Sequence, residues 1–343
     1  MPAPGKPDTL SEPPKVYKTC GGFFITQGSD LHLPFCYNNK MSWIFFAFLT
    51  SFANSFLNIA SKSLTKLIDE YKAFFLISLT TSIISVIILF SGFFYKFIDL
   101  SGTIKPGFWL PLTLTSFLGV LAFMFLYRVL RQSDVSKVIP FISFTPIFIL
   151  FIEYLIYGKL PKLQGLIGVF IIVIGTLIFE VRKTDETSLK PFLRIFKNKS
   201  SLYVILTALI WSVTSVLDKV ATLNSSPIIY STLSNIYKLL IILPIFVIRS
   251  KKHPLILKGK DSARNAPTSL LLLILITAIL HIAEIIFQTT AISTGFVSYV
   301  LAIKRTSIVF TVFLAYAILK EKPNPKLLFS TIVMLAGVIL IVL

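Results

Sequence analysis

Acidic residues are scarce in this chain of 343 residues: Asp and Glu number 15 against 33 Lys and Arg. Charge of both signs together amounts to 14% of the sequence, where a soluble domain carries roughly 25%. With 55% hydrophobic residues and a mean hydropathy of +0.83, that shortage excludes a soluble fold, and it excludes disorder for the bulk of the chain. Cysteine is nearly absent. Cys20 and Cys36 are the whole thiol inventory and there are three His. Without a CxxC or a Cys/His cluster no metal or other cofactor is expected. No P-loop is present, so no built-in ATPase is expected. No DDxxD and no HxxxxD pattern occurs, which leaves a membrane-embedded prenyl or acyl transferase the least supported reading and points away from an enzyme. The apolar runs are continuous rather than alternating, which disfavours a β-barrel.

What the sequence does have is long apolar runs. Residues 1–40 stand apart, with Pro2, Pro4, Pro7, Pro13 and Pro14 and no run long enough to span a bilayer or form a signal peptide. They read as a disordered tail, and Met41, which opens the first span, reads as a plausible start. About 20 apolar residues cross a bilayer as a helix. Spans are expected at 42–61, 73–95, 108–130, 134–157, 163–181, 201–221, 227–248, 268–290, 295–319 and 326–343, ten in all. Helices satisfy their own backbone in lipid, so the expected class is an all-α integral membrane protein.

The chain also repeats itself. At an offset of 162, Val135-Ser136 overlays Val297-Ser298, Thr145 overlays Ser307, Phe148 overlays Phe310, Pro161 overlays Pro323 and Gly175 overlays Gly337. At an offset of 160, Asn54-Ser55-x-Leu57-Asn58 overlays Thr214-Ser215-x-Leu217-Asp218. Two units follow, 41–181 and 201–343, joined by a basic linker at 182–200. Each holds five spans, and an odd number turns the second unit over relative to the first. Inverted repeats of this kind build many secondary transporters, with substrate near the midplane between the halves.

At these residues the chain resembles a known family. Ser133–Phe179 runs as a polar start, Pro140, Pro146, an aromatic-aliphatic stretch, Gly158-Lys159-x-Pro161, Gly168 and Gly175. Gly295–Leu343 repeats the frame with Lys320-Glu321-Lys322-Pro323. This is similar to the EamA-type repeat of the drug/metabolite transporter superfamily, across residues 41 to 343. The resemblance implies ten transmembrane helices as two inverted five-helix repeats, with a central cavity opening to alternate sides for a small metabolite. One departure stands out. The family's acidic residue at the end of the fourth span is Lys159 here, while Glu321 is kept in the second copy.

Ionisable residues at membrane depth are expensive and suggest function. Lys304 and Arg305 lie side by side in the ninth span and read as an anion clamp, with Lys a point charge and Arg a bidentate fork. The pair is similar to the Lys-Arg dipeptide of the sugar-phosphate translocators, and the rival reading is a structural pair that snorkels or bridges to acids. Asp218, Lys219, Trp211 and Ser215 form a polar stripe on the sixth span, matched on the first by Asn54, Ser55 and Asn58, and Lys238 follows Ser231, Ser234 and Asn235 on the seventh. These are read as substrate contacts, the rivals being helix glue or internal ion pairs. His281, Glu284 and Gln288 share a face of the eighth span. They are read as coupling protons or balancing Lys304 or Arg305, with Glu153 a weaker candidate for charge balance. Gly165, Gly168 and Gly175 are read as helix-packing positions.

The net charge of +18 by itself would suit a nucleic-acid binder, but its placement does not. Most of the excess sits in the loops after the first, fifth, seventh and ninth spans, from Lys62–Lys72 to Lys320–Lys326. By the positive-inside rule that side is cytoplasmic, with both termini outside. The family resemblance implies termini inside, and the charge bias is preferred because it holds in both halves. The expected partners are a small-molecule substrate and the bilayer, not nucleic acid. The expected function is secondary active transport of a small metabolite, anionic or amino-acid-like, across the cell membrane. A flippase of lipid-linked cargo with the same fold is the alternative.

Overall fold

The structure, a computed structural model, describes residues 39–95, 103–132, 139–158, 160–182, 199–250, 266–319 and 325–343. The readings made for residues 1–38, with both cysteines, for Lys159 and Glu321, and for most of the basic linker lie outside the described residues.

The described chain is all helical. α1 covers Asn39–Leu67, α2 Glu70–Phe94, α3 Trp109–Gln132, α4 Thr145–Tyr157 and α5 Leu163–Arg182. In the second half α6 covers Lys199–Leu223, α7 Pro227–Ser250, α8 Ala266–Thr294, α9 Val297–Arg305, α10 Ser307–Leu319 and α11 Pro325–Val342. Local chemistry marks several ends. The Asp69 carboxylate accepts from Tyr71 N at 3.0 Å and caps α2. Gly158, at φ 63°, closes α4 in the left-handed conformation that glycine adopts without strain, donating to Tyr154 O at 2.9 Å.

Six helical segments are long and apolar enough to cross a membrane: Ser42–Ser61, Tyr71–Phe94, Pro106–Leu126, Leu202–Leu223, Pro227–Ile248 and Leu270–Thr294. Ile142–Tyr157, Leu163–Ile178 and Phe329–Val342 are shorter apolar helices. From the sequence the ninth span reads as unbroken and the fourth as kinked by Pro140 and Pro146, and here the structure differs. In the fourth, a 3₁₀ segment Ile139–Phe144 gives way to α4 at Thr145. In the ninth, α9 ends at Arg305 and α10 starts at Ser307. The breaks fall at positions related by the same offset of 162 that the sequence repeat carries. Pro146, in the first turn of α4, has no N–H to lose there, so it starts the helix after the break rather than kinking one.

Helix pairing follows the repeat. α1 packs on α8 and, equivalently, α6 on α3; α2 packs on α7, and α5 on α11. α5 and α11 cross antiparallel at glycines. A Cβ on Gly168 would lie 2.7 Å from Gly337 O, one on Gly337 would lie 2.7 Å from Gly168 O, and one on Gly175 would lie 3.2 Å from Ser330 O. These packing roles are the ones expected for Gly168 and Gly175, since only bare backbones approach so closely. Gly165 likewise leaves room for the ring of Tyr299 on α9.

Both ends of the described chain reach one face, here the terminal face. Trp43 lies against Gly295 there, and Lys105 N donates to Asn224 O at 2.9 Å. A large apolar cluster on this side joins the halves, with Ala47, Ile149, Val216, Ala291, Val300 and Val338 among its members. Phe108, Leu112, Ile229 and Tyr230 form a second. Toward the opposite, basic face the apolar contacts divide into separate groups around Phe75–Phe246, Ile142–Val204 and Leu64–Ile274.

Candidate functional site

The break between α9 and α10 places the site. Lys304 sits in the last turn of α9, and the backbone freed beside it is stitched down locally. Thr306 N donates to Ile303 O at 2.9 Å. Two α1 side chains complete the seam: Ser51 Oγ lies 3.0 Å from Thr306 Oγ1, and Asn54 Oδ1 accepts from Ser307 Oγ at 3.1 Å. Irregular backbone at membrane depth is tolerated where protein buries it in this way.

The helical face of α8 then meets Lys304. The Lys304 ammonium forms an ion pair with Glu284 and donates to Gln288 Oε1 at 2.6 Å. His281 Nδ1 lies 4.0 Å from the other Glu284 oxygen. Asn54 also hydrogen-bonds Glu284 and accepts from Asn58 Nδ2 at 3.1 Å. Glu284 is 6% exposed, whereas Lys304 keeps 23% and His281 32% of its side-chain surface, so the carboxylate is the more deeply buried partner of the pair. Asn58 and His281, one turn nearer the basic face, are the more open members.

A second acid lies beside this group. Tyr230 on α7 donates its hydroxyl to Asp218 on α6, and Thr115 on α3 lies 3.2 Å from the same phenol oxygen. Lys238, a half-buried residue on α7, is within electrostatic reach of Asp218, Glu284 and Lys304. The cluster therefore holds two carboxylates and two ammonium groups.

The remaining sequence candidates sit elsewhere. Arg305 turns away from its neighbour and donates to Ile142 O at 2.9 Å and to Thr145 Oγ1 at 3.1 Å, bracing the break in the fourth span. Glu153 accepts from Val297 N at 2.8 Å, Ser298 N at 3.0 Å and Ser298 Oγ at 2.6 Å. It caps α9, a favourable place for an anion. Lys219 donates to Gly295 O at 2.7 Å beside the C-terminus of α8 and lies over the rings of Tyr157 and Phe296. Glu153 and Lys219 thus bracket the α8–α9 turn. Trp211 packs with Ile142 and Val204, and Ser215 bonds back to Trp211 O at 2.7 Å. Lys304 and Arg305, adjacent in sequence, share no partner among these contacts. Tyr230 and Thr115 were not singled out from sequence. The short turn at residues 224–226, which folds α7 back on α6, was the one signal that Tyr230 would face Asp218. Among the described residues no group of His, Cys, Asp and Glu is arranged to hold a metal ion.

The EamA-like transporter family model matches residues 41–180 and again 198–343. The chain belongs to the EamA-like transporter family. The two matches are the two repeats, and the family lies within the drug/metabolite transporter superfamily. This EamA-like protein is thus a multi-pass membrane protein of a transporter family. No curated protein matches it. Among solved structures it is similar to the crystal structure of a protein 15% identical, with a TM-score of 0.67 over 88% of this chain and 97% of the other. At that identity the likeness concerns the fold alone.

Proposed function

We propose that this EamA-like protein is a secondary transporter that moves a small polar metabolite across the cell membrane by alternating access. The reading takes the six long spans, the three shorter apolar helices and the broken α9–α10 span as ten transmembrane helices in two inverted sets of five. The observation that carries it is the Lys304–Glu284 pair at the break of the ninth span, tied through Asn54 to α1 of the other half. A charge pair held at a helix break, between repeats, is where a transporter of this architecture binds its cargo. The apolar seal on the terminal face and the divided contacts on the basic face support a conformation open to the basic side. With the positive-inside rule that side is the cytoplasm, and both termini lie outside. Glu284 balances Lys304 in this state; a coupling role for protons through Glu284 and His281 predicts that uptake responds to an imposed pH gradient.

Counterflow in proteoliposomes tests the reading. Preloaded metabolite mixtures should drive uptake of labelled solute by the wild type and not by Lys304→Met/Glu284→Gln at equal membrane abundance. Lipid scrambling in the same vesicles, without solute counterflow, would instead assign the fold to lipid-linked cargo.

A further inference from the structure

The α8–α9 turn, Gly295 and Phe296, is held from several sides. Glu153 of α4 accepts from the first two N–H groups of α9 and from the Ser298 hydroxyl. Lys219 of α6 donates to Gly295 O at 2.7 Å, and its ammonium lies 5.6 Å from the centre of the Tyr157 ring on α4. Trp43 of α1 covers the turn: a Cβ on Gly295 would lie 3.0 Å from its ring, which is 6.0 Å from the ring of Tyr299. α1 and α4 belong to the first repeat, and α6, α8 and α9 to the second. The clamp therefore ties the repeats together on the terminal face, through bonds that a full charge strengthens.

The sequence repeat does not supply the same clamp twice. The offset of 162, which overlays Val135-Ser136 on Val297-Ser298, puts Ala315 in the place of Glu153. The offset of 160, which overlays Asn58 on Asp218, puts Ile59 in the place of Lys219. Alternating access rocks one repeat against the other, so closing the basic face would call on the corresponding positions of the exchanged halves. Neither alanine nor isoleucine can make a charged bond there.

We propose that Glu153 and Lys219 form a one-sided latch that makes the conformation closed on the terminal face the resting state of this protein. The inference rests on the transport reading given above and adds the residues that set its starting conformation.

Cysteine labelling of the purified full-length protein with N-ethylmaleimide tests it. Cys20 and Cys36 are replaced, and two single reporters are compared. Val216→Cys lies in the apolar cluster on the terminal side, where Val216 is fully buried. Asn58→Cys lies nearer the basic face and is exposed. With the latch intact, the reagent should modify position 58 and spare position 216. Glu153→Ala should raise the rate at 216 about tenfold or more, the scale of one lost charge-assisted bond, and lower the rate at 58. Lys219→Met should shift both rates in the same directions by less. If Glu153→Ala is not monodisperse, Ser298→Ala, which removes one of the three bonds to the carboxylate, carries the same comparison. A protein that is merely loosened labels faster at both positions. That outcome overturns the proposal, as does a rate at 216 indifferent to these substitutions, or equal labelling of the two positions with the latch intact. The expected labelling without counterflow would sink the transport reading and leave the latch; counterflow with labelling indifferent to Glu153→Ala would do the reverse.

Discussion

Glu153 and Ser298 meet across the two repeats. The carboxylate on α4 of the first half accepts the Ser298 hydroxyl at 2.6 Å and two backbone N–H groups at the start of α9 in the second. Glu153 is 1% exposed, so the helix cap is also a tie between the halves on the terminal face. If that face opens during transport, this tie must break.

Removing the cap should therefore cost stability. Glu153→Ala leaves two buried N–H groups without an acceptor, a loss of about 1–3 kcal/mol for each unsatisfied group. Glu153→Gln, which keeps one acceptor oxygen, and Ser298→Ala should cost less. Unfolding in detergent, run as a double-mutant cycle between Glu153→Gln and Ser298→Ala, reads the coupling. Additive effects would mean that the two do not act as one contact.

The Lys304–Glu284 pair should behave as a buried ion pair. Lys304→Met alone strands a carboxylate and should destabilise by about 3–5 kcal/mol. The double variant Lys304→Met/Glu284→Gln should recover most of that stability while solute counterflow stays lost. Transport restored together with stability would show that the pair only holds the fold.

The α5–α11 crossing should tolerate no side chain. Gly168→Val or Gly337→Val drives a branched side chain into the facing backbone and should cost at least about 1–3 kcal/mol, the usual range for overpacking. Gly158→Ala, with open space around it and only the left-handed φ to satisfy, should cost about 1 kcal/mol. Fluorescence-detected size exclusion after heating should rank the two α5–α11 variants well below Gly158→Ala.

Orientation is read by labelling. With Cys20 and Cys36 replaced, Ser225→Cys in the α6–α7 turn should react with an impermeant maleimide on intact cells. Ser250→Cys, beside the basic stretch at 251–260, should react only after permeabilisation. The reverse pattern would place the termini inside.

Much of the fold could be read from the residues alone. Continuous apolar runs require helices in lipid, because nothing else there satisfies the backbone. The offset of 162 linked the two halves because packing equivalent helices needs equivalent small residues, as at Gly175 and Gly337. Pro140 and Pro146 marked an irregularity in the fourth span as a kink rather than a break, and the break at Thr306 was not read from the sequence. The polar Lys304-Arg305-Thr306-Ser307 stretch marks the place in the ninth span, but the groups that stabilise the break, Ser51 and Asn54, come from a helix more than 250 residues away in sequence.

The sequence alone named nearly all the charges at membrane depth, since burial makes every one of them conspicuous. It could not divide them. Lys304 and Arg305 are neighbours that project about 100° apart on a helix, and only the packing of α8 on one side and the fourth span on the other sends one to Glu284 and the other to Ile142 O. Asp218 and Lys219 separate for the same reason, one into the cluster and one to the end of α8. Composition decides which side chains must find partners, and the three-dimensional arrangement of the helices decides which partner each one meets.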